Sequence, residues 1–314
     1  MIAFGPVPSR RLGRSLGVNN IPPKICTYSC VYCQLGRTLT MQVDRQPYYD
    51  PRRIVEEVRE KIEKALGSGE AIDYLTVVPD GEPTLDLNLG EEIDRLKDLG
   101  IRVAVISNAS LVWDEEVRGA LAKADWVSLK TDAASEEMWR RVNRPHGRLQ
   151  LAAIQEGMLA FAEDYEGTLA TETMLVTDLN DGQDSVEEVA DFLTRLKPDL
   201  AYLSIPTRPP AEPWAQAPGE EAINRAYQII SNRLDHVEYL IGYEGNEFAC
   251  TGDLEEDLLS ITSVHPMRDD AVRDFLARAG GEWTVVRRLL AEDKLVEADH
   301  GGHRFYLRKL NREH

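Results

Sequence analysis

The sequence has few cysteines, no long apolar run and no acidic residue near its start. Four cysteines in 314 residues, three of them within eight positions, exclude a framework of structural disulfides and leave thiols available for a metal. No apolar run approaches the roughly 18 residues that a membrane span needs, and the beginning "MIAFGPVPSRR" lacks the charged-then-apolar order of a signal peptide. We therefore expect a cytoplasmic protein with no membrane partner.

The distribution of charge is uneven. A net charge of −18 disfavours broad binding to nucleic acid, because an acidic surface repels phosphate. No Asp or Glu precedes Asp44, so the first segment is locally cationic within an acidic protein. These cations either serve a site or pair with carboxylates elsewhere in the chain. They are Arg10, Arg11, Arg14, Lys24 and Arg37.

Short β-branched runs alternate with amphipathic helical patterns along most of the chain. With 43% hydrophobic residues, the chain can bury one large core and a small appendage. The alternation predicts an α/β fold with parallel strands and right-handed crossovers, as an open sheet or a barrel. One long helical stretch is predicted from about Ser135 to Phe161. The six predicted strands are "SLGVNN", "YLTVVP", "IRVAVIS", "WVSLK", "TLATETMLV" and "LAYLSI".

Polar residues follow four of these strands directly. The strand ends continue into "DGEPTLD", "NAS", "TDA" and "PTRPPAEPW". Each could be turn chemistry alone, because Gly, Pro, Asn and Asp are the usual turn formers. In a parallel sheet, however, the carboxyl ends of the strands meet at one edge and build the active site there. Four such endings favour a site at that edge.

The stretch "KICTYSCVYCQLGR" carries Cys26, Cys30 and Cys33 with the spacing C-x3-C-x2-C. A structural zinc site needs four closed ligands, so it would have to recruit Cys250 or a histidine from far along the chain. An iron–sulfur cluster also normally has four cysteines. Three thiolates on a four-iron cluster would leave one iron open to a ligand that is not protein. Such an open iron would be a reaction site.

The cysteine spacing, with the aromatic Tyr32 just before the last cysteine, resembles the signature of the radical S-adenosylmethionine (SAM) superfamily. Gly81-Glu82-Pro83 after the second strand resembles the superfamily's "GGE" motif. "FGPVPSRRLGRSLGVNN", "SCVYCQLGRT", "VPDGEPTLDLNLG" and "TRPPAE" resemble, more narrowly, prokaryotic radical enzymes related to the wyosine synthases that modify tRNA. The resemblance covers residues 4 to about 250. It implies a partial (β/α)6 TIM-like barrel, a [4Fe-4S] cluster on the three cysteines, and SAM.

The resemblance also implies roles for individual residues. Glu82 is suited to accept the methionine ammonium of SAM in a charge-assisted hydrogen bond. Reduced flavodoxin or ferredoxin is the implied electron donor, and a 5′-deoxyadenosyl radical would abstract a substrate hydrogen. The other implied cofactor-binding residues are Tyr32 (adenine, through its backbone), Gly81, Pro83, and Ser107, Asn108, Lys130 and Asp132 (carboxylate and ribose hydroxyls).

The chain departs from the wyosine synthases before its first cysteine. Those enzymes carry further cysteines there for a second cluster and a lysine proposed to hold pyruvate, but this chain has no cysteine before Cys26. A single cluster follows, and wyosine-type condensation is in doubt, since Lys24 and Lys130 are merely the lysines nearest the expected site. The substrate is unidentified, with a tRNA base among the candidates. Four residues either gather an anionic substrate or hold loops closed: Arg141, Asn143, Arg144 and Arg208.

The pattern changes near residue 252, so we predict a barrel domain over residues 1–252 and a second domain over 253–314. "DDAVRDFLARAG", "EWTVVRRLLAEDKL" and "VEADHGGHRFYLRKL" resemble a winged-helix domain whose wing folds at Gly301-Gly302. Its basic wing could contact nucleic acid, or the module could dock protein. His300 and His303 could chelate a metal, though solvated wing residues are the simpler interpretation. The alternative function is an iron–sulfur redox sensor that binds nucleic acid through this domain.

Overall fold

The computed structural model describes residues 1–78, 80–241, 248, 250 and 253–309 of the chain. Its strands are β1 (Ala3–Ser9), β2 (Gly13–Val18), β3 (Ile25–Cys26), β4 (Thr40–Met41), β5 (Tyr74–Val77), β6 (Arg102–Ser107), β7 (Trp126–Lys130), β8 (Thr168–Met174), β9 (Leu200–Ser204), β10 (Val237–Leu240), β11 (Met267–Arg268), β12 (Leu295–His300) and β13 (His303–Arg308). Its helices are α1 (Pro51–Gly67), α2 (Leu89–Lys97), α3 (Glu115–Leu121), α4 (Glu136–Val142), α5 (Leu151–Asp164), α6 (Gln183–Leu196), α7 (Glu220–Ser231), α8 (Leu254–Val264), α9 (Asp269–Ala279) and α10 (Thr284–Ala291), with a 3-10 turn at Pro83–Leu85.

The main sheet has eight strands in the order β1-β2-β5-β6-β7-β8-β9-β10. All neighbours from β2 to β10 pair in parallel, and β1 pairs antiparallel with β2 at one edge. The six predicted strands are all present, and the predicted α/β class is confirmed. The count of six is wrong, because the edge strands β1 and β10 were missed. Pro6 and Pro8 hide β1 from a sequence pattern, since proline in a sheet is confined to edge strands.

The sheet curls, so its two faces differ. Outward-facing residues of the strands pack with the helices into the largest core cluster. On the inner face, Leu12 beside β2 and Leu240 on β10 belong to one buried cluster although they lie toward opposite edges of the sheet. The same cluster contains Trp126 and Tyr202. The inner face therefore carries an apolar cluster that spans the sheet from β2 to β10.

Local sequence signals explain where the first helix begins. Asp50 caps α1 by accepting a hydrogen bond from the backbone N–H of Arg52, and Pro51 occupies the first turn. Ile54, Val58 and Ile62 are buried, whereas Leu66 near the end of the helix is exposed. The helix therefore begins at its capping residues and packs through one apolar face.

The single helical stretch predicted from about Ser135 to Phe161 is wrong. Two helices, α4 and α5, stand there with a loop between them. Arg144 has a φ of 46° and precedes Pro145, and neither a left-handed residue nor a proline continues a helix. The break places Asn143 and Arg144 beside the cysteine loop, because the backbone N–H of Ser29 donates to the carbonyl of Asn143 at 3.0 Å.

The described residues from 253 onward form helix α8, strand β11, helices α9 and α10, and the hairpin β12–β13. The three strands make a separate antiparallel sheet in the order β11-β13-β12, and the hairpin turns at Gly301 and Gly302 as predicted. These elements enclose their own buried cluster around Phe275 and Tyr306. The predicted boundary at residue 252 lies outside the described residues.

This C-terminal unit rests directly on the main sheet. Lys61 of α1 and Asp257 of α8 form a buried ion pair, with 3.4 Å between Nζ and Oδ1. Helix α8 also contacts β1. No helix among the described residues is both long enough and apolar enough to cross a membrane.

Candidate active site

The cysteine loop lies at the carboxyl edge of the sheet. Cys26 ends β3, which pairs with β4, and the backbone N–H of Val31 donates to the carbonyl of Val142 at the end of α4. Cys26, Cys30 and Cys33 are all half-buried free thiols. Cys250 instead packs against the core of the C-terminal unit. The three predicted ligands are thus brought to one loop, and the fourth cysteine lies in a different core.

Burial disfavours charge on these thiols unless a cation joins them. It raises the pKa of Cys30 to about 12, and it raises the pKa of Cys26 and Cys33 as well. Two side-chain amides approach the sulfurs: Asn108 Nδ2 lies 3.5 Å from Cys26 Sγ, and Asn143 Nδ2 lies 3.4 Å from Cys30 Sγ. Amide donors beside cluster sulfurs are a usual means of tuning iron–sulfur centres. This donor set fits an iron–sulfur cluster.

The structure gives the zinc alternative no support. In the parts of the chain that are described, no three Cys, His, Asp or Glu side chains converge as the ligands of a single metal ion. His300 lies in the hairpin, where its Nε2 is 3.4 Å from the carbonyl oxygen of Pro206. His303 is exposed at the start of β13.

Gly81 allows the loop after β5 to touch the cysteine loop. A Cβ built on Gly81 would lie 1.9 Å from the backbone carbonyl oxygen of Ile25, far inside contact distance. The next residue uses that same carbonyl, because the backbone N–H of Glu82 donates to it at 3.1 Å. Position 81 therefore requires a glycine, because a side chain there would displace Ile25, the residue directly before Cys26. Pro83, the third residue of the motif, opens the buried 3-10 turn that follows.

The Glu82 carboxylate is buried and hydrogen-bonded on both oxygens. Oε1 accepts from the backbone N–H of Thr84 at 3.1 Å, from its hydroxyl at 2.6 Å and from the Ser107 hydroxyl at 2.7 Å. Oε2 accepts from the backbone N–H of Asn108 at 2.7 Å. A carboxylate offers about four lone-pair positions. Glu82 therefore ties the end of β5 to the end of β6, a role that the sequence analysis did not foresee.

Asp132, after β7, is the centre of a second buried group. Its Oδ2 accepts from the Tyr32 hydroxyl and from Asn143 Nδ2, the latter at 2.6 Å, and its Oδ1 accepts from the backbone N–H of Met174 at 2.9 Å. Burial raises the pKa of Asp132, with Lys130 and these donors opposing the shift. Asp132 thereby links the cysteine loop, through Tyr32, to the ends of β7 and β8.

Lys130 pairs with Glu172 of β8 across the inner face, with 2.6 Å between Nζ and Oε1. Arg11 from the β1–β2 turn binds the other oxygen of Glu172, and the Ser204 hydroxyl donates to Oε1 at 2.9 Å. Burial opposes the charge on Glu172, but Arg11 and Lys130 lower its pKa to about 2. The carboxylate is therefore ionised, and it holds both cations at the site.

Of the four residues predicted either to gather an anion or to hold loops closed, Arg141 and Arg144 line one surface pocket, and Arg208 lines another. Arg144 binds Glu212 at 2.5 Å and closes a loop, and Asn143 bonds Asp132. Arg141 is exposed on α4. Arg208 donates to Gln34 at 2.5 Å and approaches His265, in a pocket on the inner face. Loop closure is thus the role seen for Arg144 and Asn143.

Sequence reasoning missed several residues of this edge. Glu172 carried a signal, since a carboxylate in the apolar strand "TLATETMLV" must be paired when buried. Thr84 and His265 carried no such signal, because their partners lie on distant elements. Asp80 was quoted only as part of a turn, yet it is buried.

The comparisons with known proteins agree with this arrangement. Residues 20–193 match the model of the Radical SAM superfamily. The chain is 43% identical over 311 residues to the UPF0026 protein MJ1312 of Methanocaldococcus jannaschii, covering 98% of this chain and 96% of that protein.

Two solved structures show the same fold at low identity. One is a radical SAM methyltransferase from Sphaerobacter thermophilus, with a TM-score of 0.53, 17% identity, and coverage of 72% of this chain and 66% of that one. The other is TYW1 with a lysine-pyruvate adduct bound, with a TM-score of 0.55, 14% identity, and coverage of 71% and 76%. The family model matches more than half of the chain, and the relative that is 43% identical covers almost all of it. The chain belongs to the radical SAM superfamily and is one of its enzymes.

Proposed function

We propose that the protein holds one [4Fe-4S] cluster on Cys26, Cys30 and Cys33 and cleaves SAM to abstract hydrogen from a substrate that is still to be identified. The observation that carries this proposal is the set of three half-buried thiols on one loop, with Cys250 in a separate core. When bound, the reduced cluster supplies the electron that splits SAM into methionine and a 5′-deoxyadenosyl radical. The protein binds and orients the cofactors and the substrate, and it excludes water from the site.

Asn108 and Asn143 contact the cysteine loop. Each places an amide N–H against a cysteine sulfur, and each is fixed by a second bond: Asn108 Nδ2 to the Thr27 hydroxyl at 2.8 Å, and Asn143 Nδ2 to Asp132. Hydrogen bonds to thiolate sulfur stabilise its negative charge and so affect the reduction potential. We assign both asparagines the role of setting the orientation of the cysteine loop.

The polar carboxyl edge is our candidate for the SAM site. Lys130, Asp132 and Ser107 stand at the ends of adjacent strands, as the superfamily resemblance implies for the groups that meet the carboxylate and ribose of SAM. Tyr32 would line the adenine through its backbone, since its hydroxyl is already bonded to Asp132. We propose that Glu82 acts indirectly, by positioning Ser107 and Asn108, because the chain itself supplies four donors to its carboxylate.

We do not propose that this protein shares the substrate of TYW1. This chain has no cysteine before Cys26 for a second cluster, and Lys130 is engaged by Glu172. RNA bases, peptides and small metabolites are the substrate classes to test. A measured rise in 5′-deoxyadenosine release on adding one class would identify it.

We propose that the C-terminal unit is a winged-helix module, a view supported by its three helices, three-stranded sheet and glycine hairpin. We propose that its wing docks protein rather than nucleic acid, a view supported by Arg304, which lies 3.9 Å from carboxylates of both Glu297 and Asp299, and by Lys309, which pairs with Asp293. The buried Lys61–Asp257 pair supports docking onto the barrel instead. A salt-insensitive, weak interaction with RNA would agree with this; a steep salt dependence would favour nucleic-acid binding.

The electron donor we propose is a reduced flavodoxin or ferredoxin, and we propose a reducing compartment, the cytoplasm, as the location; the free thiols support this proposal. The test of the cofactor assignment is anaerobic reconstitution with iron and sulfide, followed by electron paramagnetic resonance of the reduced protein. We expect a single four-iron signal that changes when SAM is added, because SAM would bind the open iron. A signal that is indifferent to SAM would reject the proposal.

A further inference from the structure

A pocket of about 130 Å³ lies on the inner face of the sheet. Its walls come from several parts of the chain that are distant in sequence, and they include two guanidinium groups: Arg11, which pairs with Glu172, and Arg208, which donates to Gln34. Arg11 stands in the β1–β2 turn, Thr76 and Asp80 lie at the end of β5, and His265 follows α8 of the C-terminal unit. The C-terminal unit, which the sequence predicts to be a separate domain, thus contributes one wall of the pocket.

Asp80 is the unusual member of this wall. It is only 3% exposed, and its Oδ1 has no hydrogen-bond partner. Its backbone is pinned on both sides: its N–H donates to Asn19 Oδ1 at 3.1 Å, and its carbonyl accepts from the N–H of Lys24 at 2.6 Å. The carboxyl group is therefore held where it is by the main chain, without a partner of its own.

An unpaired buried carboxylate is costly, so a missing partner is implied. Burial raises the pKa of Asp80 to about 7, against the opposing charges of the N-terminus, Arg308 and Lys24. The other carboxylates of this edge, Glu82 and Glu172, are bonded on both oxygens by the chain itself. A cationic nitrogen is the group that both satisfies the lone pairs and offsets the charge.

The position of the pocket separates it from the SAM site. It is lined by none of the edge residues assigned to SAM, namely Tyr32, Ser107, Asn108, Lys130 and Asp132. Gln34 and Leu35, just after Cys33, do line it, so it opens beside the cysteine loop. Its volume of about 130 Å³ is well above what one water molecule needs and is enough for the head group of a ligand.

We propose that this pocket binds a protonated amino group of the substrate, with Asp80 as its counter-ion. The identity of the molecule that brings the amino group rests on the proposed function; the ammonium site itself does not. The chemical class of substrate is therefore a primary or secondary amine whose nitrogen enters beside the cysteine loop.

The first test uses full-length protein without iron, titrated with ethylammonium chloride and, as a neutral isostere, with ethanol, by ligand-observed NMR. Wild type and the exposed control Asp235→Asn should bind ethylammonium at least tenfold more tightly than ethanol. Asp80→Asn should lose at least tenfold in ethylammonium affinity. Circular dichroism checks the fold, and Asp80→Asn should melt no lower than wild type at pH 8, because it removes an unpaired buried charge. Equal ethylammonium affinity in the three proteins would overturn the proposal.

The second test separates the substrate from SAM, which also carries an ammonium group. In anaerobic, cluster-loaded protein, the SAM affinity of Asp80→Asn should equal that of wild type, and saturating SAM should leave ethylammonium binding unchanged. Competition by SAM, with a tenfold loss of SAM affinity in Asp80→Asn, would overturn the assignment to substrate. Because the first test needs no iron, failure of the proposed radical chemistry would leave its result standing and would be distinguishable from failure of the ammonium site.

Discussion

Replacing Glu82 by Gln distinguishes a positioning role from direct contact with SAM. The carboxylate is 1% exposed and accepts four hydrogen bonds from the chain. The amide of Gln can keep its oxygen toward Thr84 and Ser107. Its NH2 group then faces the backbone N–H of Asn108, which lies 2.7 Å from Oε2 in the wild type. One charge-assisted hydrogen bond is lost, and two donors confront each other.

The size of the effect follows from that loss. A hydrogen bond to a charged group is worth roughly 1.5–3 kcal/mol, and an unsatisfied partner adds to the cost, so we expect about 3 kcal/mol of destabilisation. A chain of 314 residues unfolds with an entropy of roughly 0.65 kcal/mol/K near its midpoint, which converts this to about 5 °C in Tm.

Differential scanning calorimetry of the iron-free protein, without SAM, measures this shift. The control is Glu91→Gln on α2, whose side chain is 52% exposed, and which should move Tm by less than about 1 °C. If Glu82 instead reserved its charge for the SAM ammonium, its replacement would leave the apo protein as stable or more stable, and SAM affinity would drop about ten- to a hundredfold. That pattern would refute the positioning role.

Three further predictions follow from other contacts. Gly81→Ala should lower the iron bound after reconstitution by at least half, as measured by iron analysis, because its Cβ would lie 1.9 Å from the carbonyl oxygen of Ile25. The control is Gly119→Ala on α3, where a Cβ meets nothing within 4 Å; it should bind full iron and be slightly more stable in thermal melts. Burial and the neighbouring Asp86 raise the pKa of Glu92 to about 9, so the native state holds a proton that the unfolded chain releases near pH 4.3, and the free energy of unfolding should fall from about pH 5 to 9. In urea titrations, Glu92→Gln should reduce that slope by up to about 1.4 kcal/mol per pH unit, and an unchanged slope would be the contrary result. Lys61→Met should cost about 3–5 kcal/mol, because it removes the buried ammonium group that lies 3.4 Å from the Asp257 carboxylate, and adding Asp257→Leu should recover most of that loss. An unchanged free energy of unfolding in chemical denaturation would mean that the C-terminal unit is not docked as described.

The sequence predicted the elements whose signals are local. The glycine hairpin between β12 and β13 appears where the pattern places it. The position of the three cysteines at the carboxyl edge also follows from the alternation of strands and helices, since parallel strands deliver their ends to one side.

What the sequence could not predict depends on distant partners. The break after α4 was missed because Glu136 to Val142 and the following helix were treated as one apolar period, although Pro145 marks the break in the sequence; the left-handed conformation of Arg144 shows only in the structure. The four donors of Glu82 could not be predicted, because they come from a turn and from another strand. His265 entered the pocket only through the docking of the C-terminal unit, which no local pattern encodes.

The most direct test of the central claim is the release of 5′-deoxyadenosine from SAM by reduced, anaerobically reconstituted protein and its cysteine variants. We predict that wild type contains close to four irons per chain and releases 5′-deoxyadenosine, as expected for one four-iron cluster. Cys250→Ala should retain both properties, since Cys250 packs in the C-terminal core, and Cys30→Ala should lose both. Eight irons per chain in wild type, or undiminished 5′-deoxyadenosine release by Cys30→Ala, would contradict the account.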